Sequence, residues 1–523
     1  MKESFRQSMA WLHSWAGLLP GWVLFLIFLF GTTAFFQQEI SRWMRPELTG
    51  SALSQSALNA ADRALRKEGA GAQSWSISLP SPRGGDSLSL SWTMAEGKET
   101  PKGVRMAIAL DPATGREPGV RDTSGGWFLY RFHFDLHYMP YWLARYIVSI
   151  AALGMLVAIL SGIVTHKKIF TDFFLLRFGK GQRSWLDAHN VLGVMALPFH
   201  LMITYTGLVA LLFTLMPWAI SANFPSEDAF YKAAYPSAPE TEANGMAANV
   251  LPLTVLVARA TATWNGLPPR YITITHPGDA AATVKMYPGR DTLGGGRTGA
   301  LVMNATTGDV LSGGRPQGGA STTKGVMIDL HTGLFAGIAL RWLYFLSGVS
   351  GTMMCATGLV LWVVKRRAKL PDPARPYFGF QLVERLNIGI VAGTPGGIAT
   401  YFLANRLLPL DLDGRSDWEI NSLFISWGAL LAWALARPVR HAWVEVLGTS
   451  AALFALVPLV NAATTTRGMI ASIMAGDWLF IIFDLMMLAI AAALTLAAYR
   501  VARHKVKIPA RRKSTLTLAE AGS

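Results

Sequence analysis

The stretch Tyr146-Ile-Val-Ser-Ile-Ala-Ala-Leu-Gly-Met-Leu-Val-Ala-Ile-Leu-Ser-Gly-Ile-Val-Thr165 carries no charge and runs straight into His166-Lys-Lys168. An uncharged run of this length crosses a hydrocarbon core of about 30 Å as a helix, because a helix pairs its backbone N–H and C=O groups within one segment. The same reading applies to residues 18–36, 191–218, 343–364, 420–436, 444–460 and 478–499. A weaker eighth run, 387–408, is interrupted by Gly393-Thr-Pro-Gly-Gly397. Of 523 residues, 51% are apolar and only 15% charged, against about 25% charged in soluble domains. The expectation is a mainly α, polytopic membrane protein with about eight transmembrane helices.

The net charge of +15 is unevenly placed. Residues 165–188 hold five Lys/Arg against two acids, 365–385 six against two, and 500–523 seven against one. Residues 40–140 and 221–330 are nearly balanced, with twelve bases against ten acids and eight against eight. Short basic segments alternating with long neutral ones follow the positive-inside rule. They predict a multi-pass protein of a bacterial cytoplasmic membrane, with both termini cytoplasmic and the two long segments periplasmic. Nucleic acid is excluded as the reason for the charge, and membrane lipid is the expected surroundings. Lys2 and Arg6 precede an apolar stretch too long for a signal peptide, with no small-residue cleavage site near Phe35-Phe-Gln-Gln38, so an uncleaved anchor is expected. The one cysteine, Cys355, excludes intramolecular disulfides and cysteine-ligated clusters.

A shift of 176 residues superposes His13-x-x-x-Gly17 on His189-x-x-x-Gly193 and Gly31 on Gly207. With larger offsets, Asp135-Leu-His137 meets Asp329-Leu-His331, and Ser161-Gly-Ile-Val164 meets Thr357-Gly-Leu-Val360. The chain therefore contains a tandem helix–domain–helix repeat in parallel orientation. The boundaries read as transmembrane helix 1 at 9–37, a first external domain at 40–140, helix 2 at 141–166 and helix 3 at 186–218. A second external domain follows at 221–330, helix 4 at 336–365, a C-terminal four-helix region at 385–504 and a basic cytoplasmic tail at 505–523. Each external domain reads as small and α+β. The first has a helix at 57–67, strands at 74–78, 87–92 and 105–110, and a turn Asp111-Pro-Ala-Thr-Gly115. The second has a helix at 253–263, strands at 271–275, 282–286 and 300–303, and a turn Asn304-Ala-Thr-Thr-Gly308. Asp or Asn opening a turn and Gly closing it suit tight-turn backbone geometry. Gly294-Gly-Gly296 reads as a loop, since no helix and no lysine follow it as a phosphate cradle needs.

His-x-x-x-Gly at the start of a membrane helix, Asp-Leu-His before the returning helix, and a strand closed by Asp-Pro-Ala-Thr-Gly together resemble the PepSY-associated transmembrane family, across residues 1–367. Thr165-His-Lys-Lys168 and Pro198-Phe-His-Leu-Met202 look like a larger subfamily with extra C-terminal helices. The resemblance implies PepSY-like external domains and inner-membrane ferric-siderophore reductase chemistry, with two b haems, one toward each face.

Histidine placement carries the reading made from the residues themselves. His13, His166 and His189 fall at the cytoplasmic ends of the first three spans, His137 and His331 just before two returning spans, and His200 inside the third. Ionisable groups in a membrane are costly and by default mark function. Non-covalent haem needs two neutral imidazoles on facing helices. On one straight helix, His189 and His200 share a face and stand about 16 Å apart, so they can serve two depths. Gly17, Gly31, Gly193 and Gly207 would let a flat macrocycle approach the backbone, although glycine in membrane helices also serves helix packing. Two of His13, His166 and His189 would hold an inner haem, and two of His137, His200 and His331 an outer one. Pro140 would bend the His137 segment toward the bundle. His133 and His276, in external domains, and His504, in the basic tail, read as bystanders. His441 with Glu445, and Asp484, fit either proton or quinol handling or local polar pairing.

No dinucleotide fingerprint or Walker motif appears, so electrons would come from a quinol or a separate donor. The expected enzyme is a ferric-siderophore or ferric-chelate reductase, with haem b, two per chain, as cofactor. A second copy of the chain is a further candidate partner. Trp127-Phe-Leu-Tyr130 and residues 138–142 are either substrate contacts or interface anchors. Two rivals stand beside this reading. One is a permease for siderophore or metal, suggested by parallel repeats and Pro395. The other is a regulatory or binding module without redox activity, which leaves the intramembrane histidines unexplained.

Overall fold

A computed structural model describes residues 4–48, 53–80, 87–94, 105–117, 119–166, 176–234, 242–289, 300–313 and 318–504. Lys167-Lys168, the glycine loop at 294–296 and the tail at 505–523 lie outside them.

The first copy of the repeat opens with α1 (Phe5–Leu18), α2 (Gly21–Ala34) and α3 (Gln37–Met44). Pro20 stands between α1 and α2, which meet at 62°; proline cannot donate to the preceding turn and clashes with it, so the span breaks there. Then come α4 (Gln55–Glu68), β1 (Ala72–Ser78), β2 (Leu88–Met94), β3 (Arg105–Leu110), α5 (Gly125–Asp135) and α6 (Tyr141–Thr165).

The second copy repeats the plan with α7 (Gln182–Met195) and α8 (Leu197–Ala210), bent by 68° at Ala196 before Pro198. The short α9 (Leu212–Leu215), α10 (Trp218–Ser221) and α11 (Glu227–Ala234) follow. Next are α12 (Leu253–Thr263), β4 (Pro269–Thr275), β5 (Thr283–Pro288), β6 (Leu301–Asn304), β7 (Val310–Ser312), α13 (Gly319–Thr332) and α14 (Ile338–Arg367). The C-terminal region is α15 (Phe378–Val391), α16 (Gly393–Leu407), α17 (Arg415–Ala436), α18 (Val439–Thr464), α19 (Met469–Ala475) and α20 (Trp478–Arg503). Among the described residues six helices, with α15 and α16 taken as one, are long and apolar enough to cross a membrane, and eight spans result if each bent pair is one. The bends correct the straight-helix expectation: His189 and His200 sit on different limbs and do not stack on one face.

The external segments also differ from two separate domains. Their strands form one seven-stranded antiparallel sheet in the order β3-β2-β1-β4-β5-β6-β7. The copies join where β1 pairs β4, with Trp75 opposite Ile274 and Ile77 opposite Ile272. Alternating burial puts Trp75, Ile77, Ile272 and Ile274 on one face, where α4 and α12 contribute Leu58, Leu65, Leu253 and Leu256 to a shared core. The two helices are pinned together: Arg66 donates to the Val250 carbonyl at 2.8 Å, and the Leu253 N–H donates to Asp62 at 3.3 Å. The turns behave as their residue types require. Asp111 Oδ1 accepts from Ala113 N and Thr114 N, and Asn304 Oδ1 accepts from Thr306 N and Thr307 N.

Beneath the sheet, α5 folds back along α2 and α13 along α8. Each thereby carries residues from the sheet side down between the spans. That placement decides the site.

Candidate functional site: two pairs of facing imidazoles

Four histidines meet in two pairs. His13 on α1 places Nδ1 2.8 Å from the Ala158 carbonyl oxygen of α6. His189 on α7 places Nδ1 3.0 Å from the Met354 carbonyl oxygen of α14. Their ring centres are 6.2 Å apart. His133 on α5 places Nδ1 2.7 Å from the Ile27 carbonyl oxygen of α2, and His331 on α13 places Nδ1 3.0 Å from that of Ile203 on α8. These ring centres are 6.0 Å apart. A carbonyl oxygen only accepts, so each Nδ1 carries the proton and each Nε2 keeps its lone pair.

The spacing has a chemical meaning. Two imidazoles on opposite sides of one metal at about 2.0–2.1 Å per bond, with ring centres about 1.1 Å behind the nitrogens, hold those centres roughly 6.3 Å apart. Both pairs are close to that value. Among the described residues no three or more His, Cys, Asp or Glu side chains converge as metal ligands. Two imidazoles alone leave a bare ion's shell open, whereas a porphyrin supplies the equatorial nitrogens. The residues present therefore fit a haem iron better than a naked cation.

Glycine lets the rings lie against the helices. A Cβ at Gly31 would fall 2.6 Å from His133, and at Gly207 2.9 Å from His331. At Gly162 it would fall 3.1 Å from His13, and at Gly358 3.0 Å from His189. Gly31 and Gly207 thus match expectation as close-approach positions, but what approaches is the imidazole. Of the other two glycines singled out from sequence, Gly17 faces open space and Gly193 faces the Met354 sulfur.

The two pairs lie at different depths. A Cβ on Gly154 of α6 would sit 2.9 Å from Pro20, which precedes α2. Ala158 lies four residues beyond Gly154, and Ile27 seven beyond Pro20 in the opposite direction. The two anchoring carbonyls are therefore about 16 Å apart along the bundle. The His133/His331 pair is nearer the sheet and the His13/His189 pair nearer the basic end of α14.

The remaining sequence candidates go elsewhere. His137 is one of the three candidates for the outer pair, but α5 ends at Asp135, where Leu136 takes φ +52° and Tyr138 +57°. His137 leaves the helix and stacks on Phe424 at 5.5 Å and 12°, while α13 continues through His331 to Thr332. Burial pushes the His137 imidazole pKa down, with Arg131 adding to the effect and Asp417 opposing it. His133, read from sequence as a bystander, takes the position instead. The repeated Asp-Leu-His motif hid it, because the two helices end at different distances from the shared aspartate. His166 is held by the Asn190 amide at 3.0 Å. His200, 1% exposed, packs edge-on to Phe28 and lies 3.3 Å from the Ser347 carbonyl oxygen. Glu445 pairs with Arg437 and Trp433, while Asp484 accepts from Trp43 and Asn461 inside the bundle.

Repeated bent spans, a sheet shared by the two copies and two pairs of half-buried imidazoles mark a multi-pass membrane protein. The chain belongs to the PepSY-associated TM region family, whose model matches residues 10–365. The uncharacterized protein PA4219 of Pseudomonas aeruginosa is 26% identical to it over 311 residues, which cover 56% of this chain and 76% of that protein.

Proposed function

We propose that this protein is a b-type cytochrome of the bacterial cytoplasmic membrane that passes electrons outward to reduce a ferric siderophore or other ferric chelate in the periplasm. One observation carries the reading: both repeat-related histidine pairs combine ring centres 6.2 and 6.0 Å apart with Nδ1 engaged by a backbone carbonyl. His13 and His189 would hold a haem near the cytoplasm, and His133 and His331 a second near the periplasm. When bound, haem supplies reversible one-electron chemistry.

The chain's own residues provide the rest. The four carbonyl contacts fix the tautomer and orientation of the ligating rings, the second-shell role that tunes a metal ligand. The basic segments orient the chain so that the sheet faces the periplasm. Donor electrons enter from a quinol or a separate reductant. At the sheet side, iron(III) in a shell of oxygen donors becomes iron(II), a less charged and softer ion that such donors hold more weakly. Iron is then free to exchange.

The test is spectroscopic. Protein purified from haem-replete cells should be red, with a Soret band, an α-band that sharpens on reduction, and about two protohaems per chain. A colourless preparation defeats the cytochrome reading and favours the permease or the binding module.

A further inference from the structure

Two buried nitrogens near the His13/His189 pair are without a hydrogen-bond partner among the described residues: His166 Nδ1 and Trp362 Nε1. They occupy equivalent places. The carbonyls that hold His13 and His189 belong to Ala158 and Met354, and His166 and Trp362 each follow eight residues later, on the way to the basic end. One offset of 196 relates Ala158 to Met354, Gly162 to Gly358 and His166 to Trp362. Both nitrogens are donors. The Asn190 amide, beside His189, bonds His166 Nε2 at 3.0 Å; with Nε2 accepting, the proton sits on Nδ1. An indole N–H can only donate. Trp362 packs edge-on to Trp15, two residues from His13, and the Arg366 guanidinium lies over both rings at 4.6 and 4.9 Å.

Buried donors without acceptors are uncommon and destabilising. Two of them at matched positions, with a guanidinium beside them, call for an anionic oxygen acceptor. We infer that His166 Nδ1–H and Trp362 Nε1–H, backed by Arg366, form the carboxylate-binding site for the propionates of the macrocycle held by His13 and His189. The inference rests on the haem reading above and goes beyond it by assigning the cofactor's orientation, acidic edge toward the cytoplasm. His166 thereby serves the cofactor as a donor to its edge rather than as a ligand to its iron.

The experiment uses the full chain in the His133→Ala background, which leaves the centre at His13/His189 alone. Haem-depleted protein is reconstituted with protohaem or with its dimethyl ester, and retention is read by transfer to apomyoglobin. The parent should hold the free acid about ten- to a hundredfold better than the ester, the range expected for hydrogen bonds to a charged group. Trp362→Phe combined with His166→Phe keeps two rings, removes both N–H groups, and should abolish that preference. It should also lower the midpoint potential of that centre, since a less compensated carboxylate favours ferric iron. Unchanged ester discrimination and potential in the double variant overturn the assignment while leaving the haem reading intact. A parent that binds neither porphyrin overturns both.

Discussion

Four imidazoles carry the proposed function, and the Nδ1 of each lies against a backbone carbonyl oxygen. His133 is the most informative, because neighbouring residues make it easy to overlook. His133→Ala should remove one haem of two and leave the chain folded, whereas His137→Ala should retain both; haem content by pyridine haemochromogen distinguishes them. His137 has its own signature. Burial and Arg131 hold its pKa below the ordinary histidine value, so the folded state binds fewer protons than the unfolded chain once the pH nears about 6.5. Its neutral ring is fully accommodated above that value, and stability falls as pH drops toward the folded pKa. His137→Phe, which keeps the stack on Phe424, should therefore gain on the parent in melting temperature as pH is lowered from about 7 to about 5.

At the scale of elements, hydropathy revealed the spans because backbone satisfaction in lipid leaves a helix little alternative. It did not reveal their bends. Pro20 and Pro198 were visible as residues, but whether proline kinks a span or ends a limb depends on what packs against the break, here Gly154 against Pro20. The external helices and most strand positions were legible from apolar spacing, and the two Asx turns from their Asp and Asn. The union of both copies into one sheet was not, since pairing of β1 with β4 is a long-range choice between strands that each alternate acceptably alone. Ile77→Ala or Ile272→Ala should expose that union, each destabilising the sheet by about 2–5 kcal/mol in a thermal melt. The helix α5 escaped notice because its aromatic run resembles interface anchoring, and α13 because its Gly-Ala-Ser-Thr-Thr start reads as loop. Gly31→Ala and Gly207→Ala place a methyl 2.6 and 2.9 Å from His133 and His331. Each should perturb the low-spin signal of the sheet-side centre without touching the other.

Over the whole molecule, the C-terminal helices brace the first copy. Arg415 and Glu419, both fully buried, pair with each other. Thr123 donates to Glu419, and Tyr401 donates to the Gly125 carbonyl at 2.8 Å, so α5 is anchored at its first turn. Arg121 reaches Glu47 and the Asn405 carbonyl, tying the strand-to-helix linker to α16. No repeat or motif in the sequence announces this network, because all but the Arg415–Glu419 pair join residues far apart along the chain and each is ordinary alone. Glu419→Ala leaves the Arg415 charge buried and should cost about 3–5 kcal/mol, whereas Arg437→Ala, at the more exposed Glu445 pair, should change the melting temperature little. The account as a whole depends on iron between imidazoles at two depths. Low-temperature electron paramagnetic resonance of the oxidised, purified protein tests it most directly. Two low-spin ferric signals, one lost in His13→Ala and the other in His133→Ala, are predicted; a spectrum without low-spin ferric haem, or one unchanged by both substitutions, contradicts it.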